Sequence, residues 1–257
     1  MLVIKTVPQE FSDHFTQVAA SYASFRPTYP KSLFAWLATL APGHMLAWDC
    51  ACGSGQATLD LAVHFAQVVA TDASAAQLML VPEHPKIEWR VAPAEESGLG
   101  EGSVDLITVA QALHWFDLPR FYTEALRVLK PGGVLAAWCY GIVTVEDEAV
   151  DAVVQHFYHE VVGPYWPAER HHVETGYQEL TFPFAQVDAP AFWIEVHWSL
   201  TELLGYLRSW SATARYSAAI GSDPVSALEG ALKPLWGEPT KAKRITWPLA
   251  VRVGVTW

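Results

Sequence analysis

The sequence predicts an α/β fold built on parallel βαβ units, and three observations carry that expectation. Short apolar runs alternate with amphipathic helix patterns from residue 45 to about residue 140. One of those runs, Met45-Leu-Ala-Trp-Asp49-Cys50, feeds a glycine turn, Ala51-Cys52-Gly53-Ser-Gly55, that opens a helix. The next run, Val68-Val-Ala-Thr-Asp72, also ends on an acid. Strand, glycine turn and helix in that order hold adenosine cofactors at the carboxyl ends of the strands.

The elements follow in order along a single domain, 1–257. Residues 1–44 read as a helical cap. Pro30 stands at a first helical position and leads into 31–40, with Leu33, Phe34, Leu37 and Leu40 on one face. Residues 45–140 form the cofactor-binding core. Strands are expected at 46–50, 68–71, 87–91, 104–110 and 134–138. Helices are expected near 55–66, 74–81 and 118–130. The first of these presents Leu59, Ala62, Val63 and Ala66 at helical spacing; the last is capped by Asp117 and ended by Pro131-Gly132-Gly133.

After Gly141 the pattern changes. A helix near 146–162 gives way to the proline- and aromatic-rich stretch Gly163-Pro-Tyr-Trp-Pro167, and Phe192–Trp198 alternates like a strand. Ser199-Leu-Thr-Glu202 reads as a capping box that opens a helix through about Tyr216. Leu249–Thr256 reads as the last strand, with Pro248 pushing it towards an edge or a break. Residues 141–190 and 200–240 are expected to be insertions that cover the site.

Composition excludes several classes of function. Apolar residues make up 51% of the 257 and charged residues 17%, which indicates a buried core. A net charge of −11 argues against nucleic acid, since phosphate binding needs clustered Lys and Arg. No apolar stretch reaches the ~18 residues of a membrane span, and no signal-peptide pattern appears, so a cytoplasmic protein without membrane attachment is expected. Three cysteines, Cys50, Cys52 and Cys139, make no disulfide framework.

The residues around the glycine turn select among cofactors. A dinucleotide places its pyrophosphate at such a turn, and Asp49 would repel it. S-adenosylmethionine carries no phosphate; its sulfonium and ammonium are cations that suit a carboxylate. Asp72 matches the vicinal hydroxyls of a ribose, or else caps the following helix; both roles can hold at once. A dinucleotide turn also wants a third small residue on the helix, where Thr58 stands. Cys50-x-Cys52 has poor metal spacing. His156-x-x-His159-Glu160, with His171-His172 downstream, has the right step for one helix face but no assured third ligand. No metal site is expected.

At these residues the chain resembles class I S-adenosylmethionine-dependent methyltransferases, of the type-11 group that includes trans-aconitate methyltransferase-like proteins. The family's first motif, Asp-x-Gly-x-Gly-x-Gly, is matched by Asp49-Cys-Ala51-Cys-Gly53-Ser-Gly55. Ala110-Gln-Ala-Leu-His114-Trp115-Phe-Asp117, Glu124-Ala-Leu-Arg-Val-Leu-Lys-Pro-Gly-Gly133 and Tyr22-Ala-Ser-Phe-Arg26-Pro27-Thr-Tyr29-Pro30 match three further motifs. The resemblance spans roughly residues 14–140. It implies a Rossmann-like sheet of seven mostly parallel strands, the last antiparallel, with helices on both faces and helical lid insertions.

The resemblance also implies roles. Asp49, Ala51, Cys52, Gly53 and Gly55 face the methionine part of the cofactor, Asp72 the ribose, and Ala73, Ala94 and Glu95 the adenine. Gln111 and Trp115 close over it, while Tyr22 and Arg26 reach the methionine carboxylate. Two positions depart from the family. Ala51 replaces a glycine, which calls for a negative φ there. Pro93 replaces an Asp that bonds the adenine amine. His114, after the fourth strand, is the candidate general base or substrate contact. The acceptor is expected to be a small molecule, with a carboxylic acid giving a methyl ester as the leading case; the coproduct is S-adenosylhomocysteine. Arg208, Trp210 and Arg215 are the candidates for binding an anionic acceptor. A non-catalytic cofactor-binding module is the alternative, and an NAD-dependent oxidoreductase a third reading that leaves Asp49 unexplained.

Overall fold

The structure, a computed structural model, describes residues 27–79 and 81–257. Its centre is a sheet in the order β3 (Ile87–Val91), β2 (Gln67–Asp72), β1 (Leu46–Cys50), β4 (Val104–Ala110), β5 (Leu129–Tyr140), then β9 (Lys243–Val255). The first five run parallel and β9 is antiparallel to β5. Strand β4 shows why: six successive residues, Val104 to Val109, are buried, so both faces must be covered by other elements. The alternation of strand side chains divides the core in two. Leu33, Phe34, Leu61, Val68, Leu106 and Trp138 pack on one face. Trp48, Val69, Ile107, Phe121, Val128 and Leu135 pack on the other.

Nine strands are present among the described residues, yet the sheet is seven strands wide. Tyr140 of β5 pairs with Leu249, and two-residue β6 (Thr144–Val145) resumes on the same flank of β9 at Thr246 and Ile245. The opposite flank is likewise shared by β7 (Ala185–Val187) and β8 (Phe192–Trp198). Pro248 lies in the gap between the β5 and β6 ladders, so β9 passes through it unbroken, pairing it with Trp193 of β8. The interruption falls on the neighbouring strand instead.

Several helices depart from the sequence expectation, each for a packing reason. The helix after the glycine turn spans only Thr58–His64 and buries Thr58, Leu61 and Ala62, while Leu59 and Val63 are exposed. The period is right and the phase is not, because Thr58 must face a buried acid described below. The helix Leu118–Val128 keeps its Asp117 cap, whose side chain accepts from Arg120 N, but it stops before Leu129. Leu129 pairs with Val104, so the sheet claims Leu129 to Gly133 for β5. Ser199 and Glu202 form the expected reciprocal cap, but that helix ends at Arg208 and another spans Ser211–Ile220. Trp210 breaks the run by turning extended and burying its ring against Phe157, Tyr158, Trp166 and Tyr206. The helix Glu148–His156 continues as a π-turn, Phe157–Val161. Pro30 caps the helix Lys31–Leu40 rather than starting it. No helix among the described residues is long and apolar enough to cross a membrane.

The sheet is tied at its amino ends by Asp105, 1% exposed on β4. Its Oδ2 accepts the Met45 and Leu46 N–H groups at 3.0 and 2.9 Å, and its Oδ1 pairs with Lys130 Nζ at 2.7 Å. One carboxylate therefore joins β1, β4 and β5. Asp105→Ala leaves the Lys130 cation without its partner and strips two backbone donors, so a loss of about 2–3 kcal/mol is expected in urea unfolding.

Candidate active site

Parallel sheets open a crevice where the chain reverses its direction of growth. Here β1 leads to β2 and β3 on one side, and the chain then crosses to β4 and β5 on the other, so the crevice lies between β1 and β4. Both strands end there in strained backbone. Ala51, directly after β1, has φ +55°, and Gln111, directly after β4, has φ +59°. The expectation that Ala51 keeps a negative φ is corrected. The turn imposes the left-handed conformation on alanine, at an energetic cost that glycine would avoid. Gly53 and Gly55 follow with φ +54° and +84°. A Cβ on Gly53 would meet nothing within 4 Å, whereas one on Gly55 would lie 2.5 Å from the Trp89 ring. Gly53 thus leaves open space above the turn, and Gly55 lets Trp89 of β3 pack onto it.

Asp49 stands opposite Thr108 of β4 and Ala70 of β2. Its carboxylate is 1% exposed and accepts from Thr58 Oγ1 at 2.5 Å and Thr108 Oγ1 at 2.8 Å. The acid therefore lies under the turn, with each carboxylate oxygen engaged by a threonine hydroxyl. Burial pushes its pKa up to about 6, against the two hydroxyl bonds, and the nearby Asp72 pushes the same way. Thr58 is the residue that argued against a dinucleotide, and its hydroxyl has a structural reason to be there. Asp72 accepts from Gly53 N at 2.9 Å and Ser74 N at 2.8 Å, so it braces the turn and the start of the helix Ala75–Leu78 together. Burial raises its pKa as well. The Cys50 and Cys52 thiols are driven well up, first by burial and then by Asp49 among the surrounding acids. The field at the turn is negative.

The opposite wall follows β4. Gln111 receives its place from its N–H to Trp138 O, 2.9 Å, and from Nε2 to Tyr140 O, 3.2 Å. The short 3-10 turn Leu113–Trp115 carries His114 and Trp115, with their rings 4.8 Å apart. Ala94 is buried, Ala73 is half-buried, and Glu95 accepts the Asp117 N–H at 3.0 Å. His114 Nδ1 lies 3.0 Å from the hydroxyl of Tyr177. Tyr177 is fully buried, and the Leu113 backbone N–H also faces its oxygen. His114 Nδ1 and the Tyr177 hydroxyl therefore share a hydrogen bond that fixes the imidazole ring. Burial, and after it the charges of Arg170 and His172, hold the His114 pKa down to about 4.

Two of the three candidates for an anionic acceptor are engaged elsewhere. Arg208 pairs with Asp223 at 3.2 Å and Glu229 at 3.7 Å on the surface. Trp210 is buried in the aromatic cluster already described. The third, Arg215, is exposed. Tyr22 and Arg26 lie outside the described residues. No three His, Cys, Asp or Glu among the described residues come together to hold a metal, and His171 bonds Glu179 instead. Sequence reasoning missed Thr108, Tyr177 and Arg170. Thr108 had a signal, a hydroxyl inside the apolar run Leu106–Val109. Tyr177 and Arg170 lie over sixty and fifty residues from His114 in the chain, and no spacing links them.

The strain at Ala51 is testable. Ala51→Gly should raise stability by about 1 kcal/mol in urea unfolding, since glycine adopts this φ without a Cβ penalty.

Comparison with known proteins agrees with this geometry. Residues 48–137 match a family model described as a methyltransferase domain. A Dictyostelium discoideum protein described as a methyltransferase is 34% identical over 228 residues, covering 88% of this chain and 87% of that one. A Saccharomyces cerevisiae protein described as an S-adenosylmethionine-dependent methyltransferase is 31% identical over 142 residues, 52% of this chain and 47% of that one. A solved structure from Anaeromyxobacter dehalogenans, described as a type II methyltransferase, is 47% identical with a TM-score of 0.86, covering 90% of this chain and 98% of that one. Identities of 34% and 47% over nearly whole chains show common family, and the chain belongs to the class I S-adenosylmethionine-dependent methyltransferases.

Proposed function

We propose that this methyltransferase acts on a small organic acid and forms a methyl ester on its carboxylate. The observation that carries the reading is His114. Burial holds its pKa down to about 4 and its Nδ1 is tied to the Tyr177 hydroxyl, so at neutral pH it is an uncharged hydrogen-bonding ring with little pull on a proton. An acceptor with a proton to lose finds no base there. A carboxylate, already ionised, needs none.

The residues around the turn fit the cofactor. The space above Gly53, the two acids at the strand ends and the negative field suit a cationic sulfonium and not a diphosphate. Bound there, S-adenosylmethionine supplies an activated methyl: an acceptor oxygen lone pair forms the C–O bond as the C–S bond breaks and its pair stays on sulfur. Ala51, Cys52, Gly53 and Gly55 are proposed to hold the methionine part and Asp72 the ribose. Ala73, Ala94 and Glu95 are proposed to flank the adenine, and Gln111 and Trp115 to close the site. Tyr22 and Arg26 are proposed for the methionine carboxylate. His114 is proposed to hydrogen-bond the acceptor and orient it, with Tyr177 fixing the ring. The insertions are proposed to exclude water. Three free cysteines and the net charge of −11 favour a cytoplasmic enzyme that does not bind nucleic acid.

Two outcomes test this. Because the Asp49 pKa is raised above the ordinary carboxylate value, its ionisation opposes folding: that contribution to stability is present below pH ~4 and lost as pH rises through about 6. A nearby cation reverses the preference. Affinity for S-adenosylmethionine should therefore weaken as pH falls below 6, approaching tenfold per unit. Calorimetry should show a smaller slope for S-adenosylhomocysteine, which lacks the sulfonium charge, and a flat profile for Asp49→Asn. Turnover of an acid acceptor should show no inflection near pH 6.5, where an ordinary histidine titrates. An inflection there that His114→Gln abolishes would return His114 to the role of base.

A further inference from the structure

The segment that supplies Tyr177 also builds a second concavity. A cavity of about 320 Å³ is lined in part by Tyr158, His159, Trp166, Arg170, His171 and Glu174. Its volume falls at the lower end of the range for small-molecule sites. Arg170 opens the helix Arg170–Glu174, whose Val173 carbonyl lies 3.6 Å from Cys139 Sγ on β5, at the carboxyl end of the sheet. Helix and site are therefore neighbours.

The guanidinium is held by its flat face and by one edge. It stacks 4.5 Å from the Trp166 ring centroid and 5.4 Å from that of Tyr158. Its Nε donates to Tyr158 Oη at 2.8 Å, and Tyr158 in turn donates to Glu174 Oε1 at 2.6 Å. Glu174 is thereby engaged through the phenol, and no carboxylate among the described residues lies within ion-pair distance of Arg170. The remaining fork has no anionic partner among the described residues. Tyr158 itself stands in the π-turn Phe157–Val161, a distortion found most often at functional sites. Two buried ring nitrogens, Trp166 Nε1 and His172 Nδ1, also have no hydrogen-bond partner among the described residues.

We propose that the cavity walled by Arg170, Tyr158 and Trp166 receives part of the methyl acceptor, with Arg170 recognising a carboxylate on it. The inference rests on the acid-acceptor reading and adds to it the residue that binds the acid. A guanidinium clamped on an aromatic face loses little freedom on pairing, and its fork matches a carboxylate. The charge of Arg170 also reaches His114, Tyr177 and Cys139, which places it on the same side of the molecule as the reaction. Arg170 takes the place that charge alone had suggested for Arg208 and Arg215. Tyr158 is a positioning residue, since it acts on the acceptor through the guanidinium.

The test uses the whole chain with S-adenosylhomocysteine present, and radiolabelled benzoate and cinnamate as probes in equilibrium dialysis. Benzamide and benzylamine serve as neutral and cationic controls. The wild type should bind the acids and neither control. Arg170→Met should weaken acid binding about ten- to a hundredfold, the range of a charge-assisted contact, with S-adenosylhomocysteine affinity unchanged. Arg170→Lys should fall between, because it keeps the charge and loses the fork. Tyr158→Phe should show a smaller loss. In turnover with labelled methyl donor, Arg170→Met should raise KM for the acid more than it lowers kcat. Acid binding or turnover that survives Arg170→Met overturns the assignment of Arg170 and leaves the ester reading standing. Methylation of benzylamine instead of any acid overturns both. Absence of acid binding to the wild type overturns the cavity assignment.

Discussion

A carboxylate in the dry centre of a parallel sheet organises this molecule. Asp49 ends β1 at the point where the sheet changes its direction of growth, and two threonine hydroxyls supply its hydrogen bonds. A buried acid without partners would stay protonated or unfold its surroundings; two charge-assisted bonds let it ionise within reach of neutral pH. Those bonds fix the elements on either side. Thr108 locks β4 beside β1, and Thr58 sets the rotation of the helix Thr58–His64, which leaves Leu59 and Val63 in solvent. The glycine turn between them is then confined to a left-handed path that even Ala51 must follow.

The same economy of contacts joins the turn to its neighbours. Asp72 accepts one N–H from the turn and one from the start of the next helix, so the two strand ends move as a unit. Across the crevice, Gln111 repeats the left-handed bend of Ala51, and the third non-glycine residue with positive φ, Tyr177, meets His114. Strained backbone is concentrated where the chemistry is, which is the pattern expected of a site held open by the surrounding fold. The consequence for reactivity is specific. The hydrogen bond to Tyr177 fixes the imidazole, and burial keeps the ring neutral.

The second half of the chain adds an aromatic layer beside the core. Tyr158, Trp166 and Tyr206 pack around Trp210, and that cluster presents Tyr158 and Trp166 to Arg170. Rings that read as candidate pocket walls in the sequence are therefore divided: Trp210 is the support, and Tyr158 and Trp166 form the wall.

The core was legible in the residues because each feature is local. Apolar runs without alternation mark strands buried on both faces, glycines mark the turn, Asp117 and Ser199 mark helix starts, and an acid after each of two strands marks the cofactor side. Family motifs in order extended that reading to the sheet and the chemistry. What depends on distance along the chain was not legible. The helix phase at Thr58 is set by a partner nine residues back and by the sheet beside it, the end of the helix at Arg208 by the burial of Trp210, and the role of His114 by a phenol 63 residues away. Sequence patterns record the average environment of a residue, apolar or polar, strand or turn. Which single atom meets which other, and therefore which ring is held, which arginine is free to pair and how a buried acid is tolerated, is decided by packing.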